Sequence, residues 1–189
     1  PNWIGIRVSI DNQKLDLAKC KVEDFKRVLD MKIGLLTRSF AATFPDGKTI
    51  RVESKRFCSM ANGEIGAIRY SITPLNFSAK ATLSLYVDAD VVNKDSNYDE
   101  KFWEEVHKEA SEGRAIVTAQ TKKTFFHVTT GMCYSIVSDG KKVAFDRVNI
   151  EQREKFAGNV IQLSLNEGKE LVVYKYAAVL SSENHPKEK

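Results

Sequence analysis

The chain has 189 residues, 42% of them hydrophobic and 29% charged, values of an ordinary globular protein and not of a disordered or fibrous one. Its net charge of +4 comes from 29 basic residues scattered among 25 acidic ones, which argues against nucleic acid or an anionic membrane surface as a partner. No run nears the roughly 18 consecutive apolar residues of a membrane span, and the length suits one domain with a substantial core.

In chain order, Pro1 opens almost directly on a predicted strand, WIGIRVSI, with no leader ahead of it. This reads as a piece of a longer chain, with the cytoplasm as its default compartment. The turn DNQ at 11–13 follows. In KRVLDMKIGLLTRSF, Leu29, Met31 and Ile33 alternate onto one face, Gly34 permits a bend, and LLTRSFAATF resumes as a second strand. Its arginines are expected to pair across strands or lie along the surface. After the turn PDG at 45–47, Ile50 and Val52 share one face of TIRVESKRFCSM while Arg51, Glu53 and Lys55 share the other. Beyond NG at 62–63, Ile68, Tyr70 and Ile72 fall together, and Leu83, Leu85 and Val87 oppose Thr82, Ser84 and Tyr86. Such one-sided strands between Gly, Asn and Asp turns belong to packed antiparallel sheets.

Residues 97–113, NYDEKFWEEVHKEASEG, break the pattern. They start acidic, place Phe102, Val106 and Ala110 at i, i+4 and i+8, and end on Gly113. The segment reads as a short helix or a long polar excursion, with at least one helical turn favoured. Turns SDG at 138–140 and NEG at 166–168 then frame a strand carrying Ile161, Leu163 and Leu165 and a more apolar one from Leu171 to Leu180. The tail SSENHPKEK reads as a linker or a helix start.

Chemistry-bearing residues do not converge in the sequence. His107, His127 and His185 lie in no HxxxH, HxH or nucleophile-elbow pattern, and a structural role on a strand is expected for His127. Cys20, Cys58 and Cys133 are far apart, without metal-ligand spacing, and are read as reduced, mostly structural thiols. Asp88 and Asp90, at i and i+2 on one strand face, suit a solvated strand end, a turn or a calcium ion better than an acid and base flanking a bond. Glu104 and Glu105 diverge on the expected helix. Trp3 and Trp103 are read as core residues before a sugar-stacking platform. No catalytic, cofactor or metal residue is assigned.

The segments PNW (Pro1 to Trp3), LDMKIGLLTR (Leu29 to Arg38), RFCSM (Arg56 to Met60) and ITPLNFS (Ile72 to Ser78) stand in an order that closely resembles the N-terminal β-sandwich of glycoside hydrolase family 65. The resemblance runs over residues 1 to about 93 and is looser from FWEEV onward. That family holds maltose, trehalose, kojibiose and nigerose phosphorylases and some hydrolases. The resemblance implies an all-β, antiparallel sandwich of galactose mutarotase-like type over 1–180, lacking its first strands, with 181–189 starting a linker towards a catalytic (α/α)6 barrel outside this chain. It implies a parent enzyme that cleaves an α-linked glucose disaccharide with inversion, using a glutamic acid located in the barrel and inorganic phosphate as co-substrate, and that works as a homodimer. Phe102 and Trp103, in the 93–114 excursion, are the residues expected to reach the rim of the substrate cleft. The competing expectation is a freestanding carbohydrate-binding or protein-interaction module.

Overall fold

The computed structural model describes residues 1–92 and 100–185. Its strands in chain order are β1 (Ile6–Ile10), β2 (Gln13–Lys14), β3 (Lys21–Asp30), β4 (Leu35–Thr43), β5 (Thr49–Cys58), β6 (Ile65–Pro74) and β7 (Ala79–Asp88). They continue as β8 (Trp103–Ser111), β9 (Arg114–Thr121), β10 (His127–Ser138), β11 (Lys141–Lys142), β12 (Arg147–Arg153), β13 (Phe156–Leu165) and β14 (Leu171–Ser181). The reversals fall where Asn, Asp or Gly can take positive φ: Asp11 and Asn12, Gly34, Gly47, Asp139 and Gly140, and Gly168.

Two antiparallel sheets result. The smaller has the order β12-β13-β7-β1-β2, and the larger β3-β4-β5-β6-β14-β10-β9-β8, with β11 continuing the edge of β10. Period-two alternation sends one row of each strand into the space between the sheets. The larger sheet contributes Ile50, Val52, Ile72, Val117 and Val173, and the smaller Leu83, Leu85, Val87, Ile161, Leu163 and Leu165, all essentially without solvent contact. Each such side chain adds about 1.5–3 kcal/mol over leaving it in water. The match of this core to the alternation in the sequence is the main reason the register is unambiguous.

Polar side chains cross between the layers at a few points. Lys175 of β14 is fully buried, and its Nζ donates to the backbone oxygens of Gly5 (2.9 Å) and Tyr86 (2.7 Å). Burial pushes its pKa down to about 7. Asn159 of β13 accepts at Oδ1 from the Gly113 amide (2.8 Å) and the Tyr134 hydroxyl (2.7 Å), which fixes the β8–β9 turn and β10 to the smaller sheet. Gly158 is required beside it, since a Cβ there would lie 2.6 Å from the Leu85 carbonyl oxygen and 2.7 Å from the Tyr86 Cβ.

The segment from 101 to 113 corrects the expectation of a helical turn. Trp103 to Ser111 form edge strand β8, which pairs with β9 and shifts register between Glu105 and His107. Gly113, at φ 85°, closes a tight hairpin turn with Glu112. Spacing by four satisfies a strand as well as a helix, and the neighbouring strand β9 supplies the hydrogen bonds that decide it. The remainder of the excursion, residues 93–99, lies outside the described residues, as do 186–189.

Candidate functional site

The residues singled out from the sequence are mostly built into the sandwich. Trp103 is the first residue of β8, faces Thr121 of β9 and packs against the core, while the carbonyl of Phe102 accepts from the Lys122 amide at 2.9 Å. Both therefore stand at the paired start of the β8 edge strand. Asp90 is held by Lys101 at 2.8 Å, with Lys155 at 3.8 Å. The Lys101 hydrogen bond keeps its carboxyl below the usual range. Asp88 and Asp90 form a turn, with the Asp90 amide donating to Asp88 Oδ1 at 2.9 Å. Glu104 and Glu105 lie on a strand, not a helix. Burial raises the Glu105 pKa, but Lys108 at 2.7 Å and the donated Lys155 amide at 2.5 Å outweigh it and leave it lowered. Carboxylates held ionised by lysines are poor general acids.

His127, the first residue of β10, contacts Gln120 of β9 at 2.9 Å, and His185 contacts Glu64 at 2.7 Å. The cysteines are free thiols, as expected; Cys20 is half-buried against the core, while Cys58 and Cys133 are exposed, which corrects the structural reading for those two. Among the described residues, no group of three or more His, Cys, Asp or Glu side chains is arranged to hold a metal ion. No helix of the described residues is long and apolar enough to cross a membrane.

The feature that stands out lies at one end of the larger sheet. The β3–β4 turn is set by Asp30, whose Oδ1 accepts from the Lys32 amide at 3.0 Å, and by Gly34 at φ 65°. The β5–β6 turn is set by Ser59 Oγ, which accepts from the Asn62 amide at 3.0 Å, and by Asn62 Oδ1, which accepts from the Glu64 amide at 3.1 Å. Between these turns and Trp3 runs an open, mainly apolar groove of about 890 Å³, lined by Ile4, Met31, Ile33, Leu36, Arg56, Phe57 and Met60 among others. Trp3 is seated over Gly66, where a Cβ would come within 2.6 Å of the indole.

Next to the groove, register places Arg27 opposite Arg38, Arg38 opposite Ser54, and Arg56 opposite Leu36. These residues continue the row that includes Phe40 and Val52, so they occupy the same inner face as the core, with Arg38 half-buried beside Ile6, Val8, Leu15 and Leu17. Arg38 lies 5.5 Å from the Phe40 ring centroid. Burial, reinforced by the Arg38 and Arg27 charges, lowers the Arg56 pKa. Among the described residues none of the three arginines has a carboxylate partner, whereas Arg69 on the opposite face bridges Glu53 and Glu170. The sequence led to the expectation that Arg27 and Arg38 pair across strands or lie along the surface, and it gave no sign that Arg56 joins them. Their convergence depends on a register shift between Glu23 and Lys26, where Asp24 takes φ 53°.

Fold and site together define an antiparallel β-sandwich domain with an open, cationic and apolar end. The family model described as Glycosyl hydrolase family 65, N-terminal domain, matches residues 1–189, and the chain belongs to that family. The match covers the second half as fully as the first. The chain is 41% identical over 120 residues to the maltose phosphorylase of Bacillus subtilis (strain 168), covering 64% of this chain and 16% of that protein. It is 35% identical over 92 residues to the kojibiose phosphorylase of Thermoanaerobacter brockii, covering 49% of this chain and 12% of that one. A solved structure from the human microbiome, assigned as a kojibiose phosphorylase, superposes with a TM-score of 0.82 at 23% identity over 99% of this chain and 23% of its own, and supports the fold. The chain thus spans less than a quarter of the length of these relatives.

Proposed function

We propose that this chain is the non-catalytic N-terminal sandwich of an enzyme that cleaves an α-linked glucose disaccharide by phosphorolysis. The observation that carries the reading is the family match over all 189 residues together with relatives named as maltose and kojibiose phosphorylases. The carboxylates described above, which are paired with lysines, suit a scaffold role. In this reading the segment from 181 begins a linker to a helical (α/α)6 barrel, and the glutamic acid that protonates the leaving oxygen lies there. Inorganic phosphate enters from the opposite face of the sugar. It is already nucleophilic, so no second carboxylate is needed to activate it. Attack with inversion on an α-linkage yields β-glucose 1-phosphate. The enzyme acts in the cytoplasm as a homodimer, and Phe102 and Trp103 lie near the rim of its substrate cleft.

The test is to incubate the complete gene product with maltose, kojibiose, trehalose and nigerose, with and without phosphate, and to identify the sugar phosphate and its anomer. Maltose is tested first, given the 41% likeness to a maltose phosphorylase. Phosphate-dependent β-glucose 1-phosphate from one of the four is expected. Free glucose released at the same rate without phosphate makes the enzyme a hydrolase and overturns the phosphorolysis reading.

A further inference from the structure

We propose that a pocket between the two sheets, separate from the open groove, binds a small organic anion: a carboxylate carried on a short branched or aromatic apolar body.

The pocket follows from how the smaller sheet ends. Strand β2 is two residues long and pairs only with Ser9 and Ile10 of β1. After Leu15, whose amide donates to the Val8 carbonyl at 2.9 Å, the chain curls into a turn in which the Lys19 and Cys20 amides donate to the Asp16 carbonyl. Among the described residues no strand therefore flanks β1 at Ile6 and Arg7 on that side. Facing this edge, register sets Arg38, Ser54 and Tyr70 in one row across β4, β5 and β6. The space enclosed is about 210 Å³, the volume of about seven liquid waters and smaller than a site for a drug-sized ligand.

Two independent observations select an anion. Arg7, Lys14 and Arg38 line the pocket, no acidic residue lines it, and among the described residues none of the three cations has a carboxylate partner. Arg7 and Arg38 instead lie over the rings of Tyr86 and Phe40, at 4.6 and 5.5 Å from the centroids. The second observation is Tyr70, which lines the same pocket, is only 6% exposed, and has no hydrogen-bond partner for its hydroxyl among the described residues. Burial pushes its pKa up to about 12 against the pull of the Arg38 charge, so the hydroxyl keeps its proton and can donate it. A buried hydroxyl without a partner is costly, and a ligand oxygen removes that cost.

The remaining walls select the body of the ligand. Ile6, Val8, Leu15, Leu17 and Phe40 are apolar, and against them a sugar or a bare phosphate ion would give up water without gaining hydrogen bonds. A carboxylate has a planar pair of oxygens that suits a guanidinium fork and can also accept from a hydroxyl, while its apolar substituent covers the aliphatic walls.

Binding is read by saturation-transfer NMR and equilibrium dialysis of benzoate and isovalerate against the complete gene product, with benzamide as the uncharged match and inorganic phosphate as the anion without a body. Saturable binding of both carboxylates is expected, with benzoate at least about tenfold tighter than benzamide, which cannot pair with the cations. Tyr70→Phe keeps the ring and removes only the hydroxyl, and should weaken benzoate at least about threefold; Arg38→Gln should weaken it at least about tenfold. If Arg38→Gln fails to fold, Lys14→Gln, at an exposed position of β2, is read in its place with at least about a threefold loss. The proposal is overturned by any of four results: no saturable binding, benzamide binding as well as benzoate, phosphate displacing benzoate at equal concentration, or benzoate binding unchanged in the variants. Binding by residues 1–189 alone and not by the complete protein assigns the pocket to another part of the polypeptide and overturns it too. Phosphorolysis is not a readout here, so its presence or absence leaves this result standing.

Discussion

Strands β4 and β5 each have two halves that obey the same alternation and meet different fates. In one half Phe40, Ala42, Ile50 and Val52 face the smaller sheet and lose nearly all contact with water. In the other, Leu36, Arg38 and Arg56 sit on the same face only half-buried and border open grooves. The backbone hydrogen bonding is continuous across both. What differs is the covering layer, and the residue types follow it: aliphatic under a sheet, arginine and methionine at the open shelf. A strand pattern therefore reports which way a side chain points, while its chemistry reports what it is meant to meet.

The contrast can be broken experimentally, beginning with its covered half. Replacing Ile50 by Ala removes a side chain with no exposed surface and leaves a cavity between the sheets. A loss of about 2–5 kcal/mol is expected in chemical denaturation of the chain. A cost under about 1 kcal/mol would show that this half is not close-packed.

Gly158→Ala probes the backbone approach within the smaller sheet. Its new methyl would meet the Leu85 carbonyl and the Tyr86 Cβ at 2.6 and 2.7 Å, and neither belongs to the far end of a flexible chain. About 1–3 kcal/mol of destabilisation is expected from the same denaturation curves.

Lys175 sharpens the comparison in another way, since it is a base at a covered position while the open arginines are bases at uncovered ones. Burial sets its folded pKa at about 7, below an unfolded value near 10.4. Between those values the unfolded chain binds a proton that the folded chain lacks, so this group makes stability rise with pH from about 7 to about 10 and imposes its full penalty below 7. Lys175→Met should flatten that rise when midpoints are compared from pH 7 to 9.5, a range that brackets most of the interval between the two values. The same substitution removes the Lys175 donor from the Tyr86 carbonyl and leaves the Gly5 carbonyl only the long contact from the Tyr86 amide at 3.5 Å, at about 1–3 kcal/mol. An equal slope in both proteins would remove Lys175 as the source.

The smallest effect belongs to the open half. Ile33→Ser in residues 1–189 should change stability by no more than about 0.5 kcal/mol, because the side chain is already mostly in water. A loss comparable to that of Ile50→Ala would mean that the shelf is covered within this chain after all.

Much of the sandwich was legible because strand alternation and turn chemistry are local. Ile50 and Val52, Ile68 and Ile72, and Leu83, Leu85 and Val87 fall on the core side as their spacing requires. The segment around Phe102, Val106 and Ala110 misled because a spacing of four fits both periods; the informative signal was Glu112-Gly113, a two-residue hairpin turn before the alternating strand RAIVTAQT. Tyr86 was placed on the outer face with Thr82 and Ser84, yet it is buried, stacked on Phe156 with centroids 4.9 Å apart and packed over Gly5. Its neighbours come from sequence positions far away, and no local pattern reports them. The arginine shelf was hidden for the same reason: Arg27 meets Arg38 only through a bulge at Asp24, and the missing counter-charge is visible only once the strands are paired.

The central claim is that this sandwich belongs to a disaccharide phosphorylase and does none of the chemistry itself. The direct measurement sets residues 1–189, checked as folded by their β-sheet far-UV spectrum, beside the complete gene product in a phosphate-dependent assay for β-glucose 1-phosphate from maltose and its α-linked isomers. Turnover by the complete protein and none by residues 1–189 is the predicted result. Turnover by residues 1–189 alone, or a complete protein that binds but never cleaves these sugars, would contradict it.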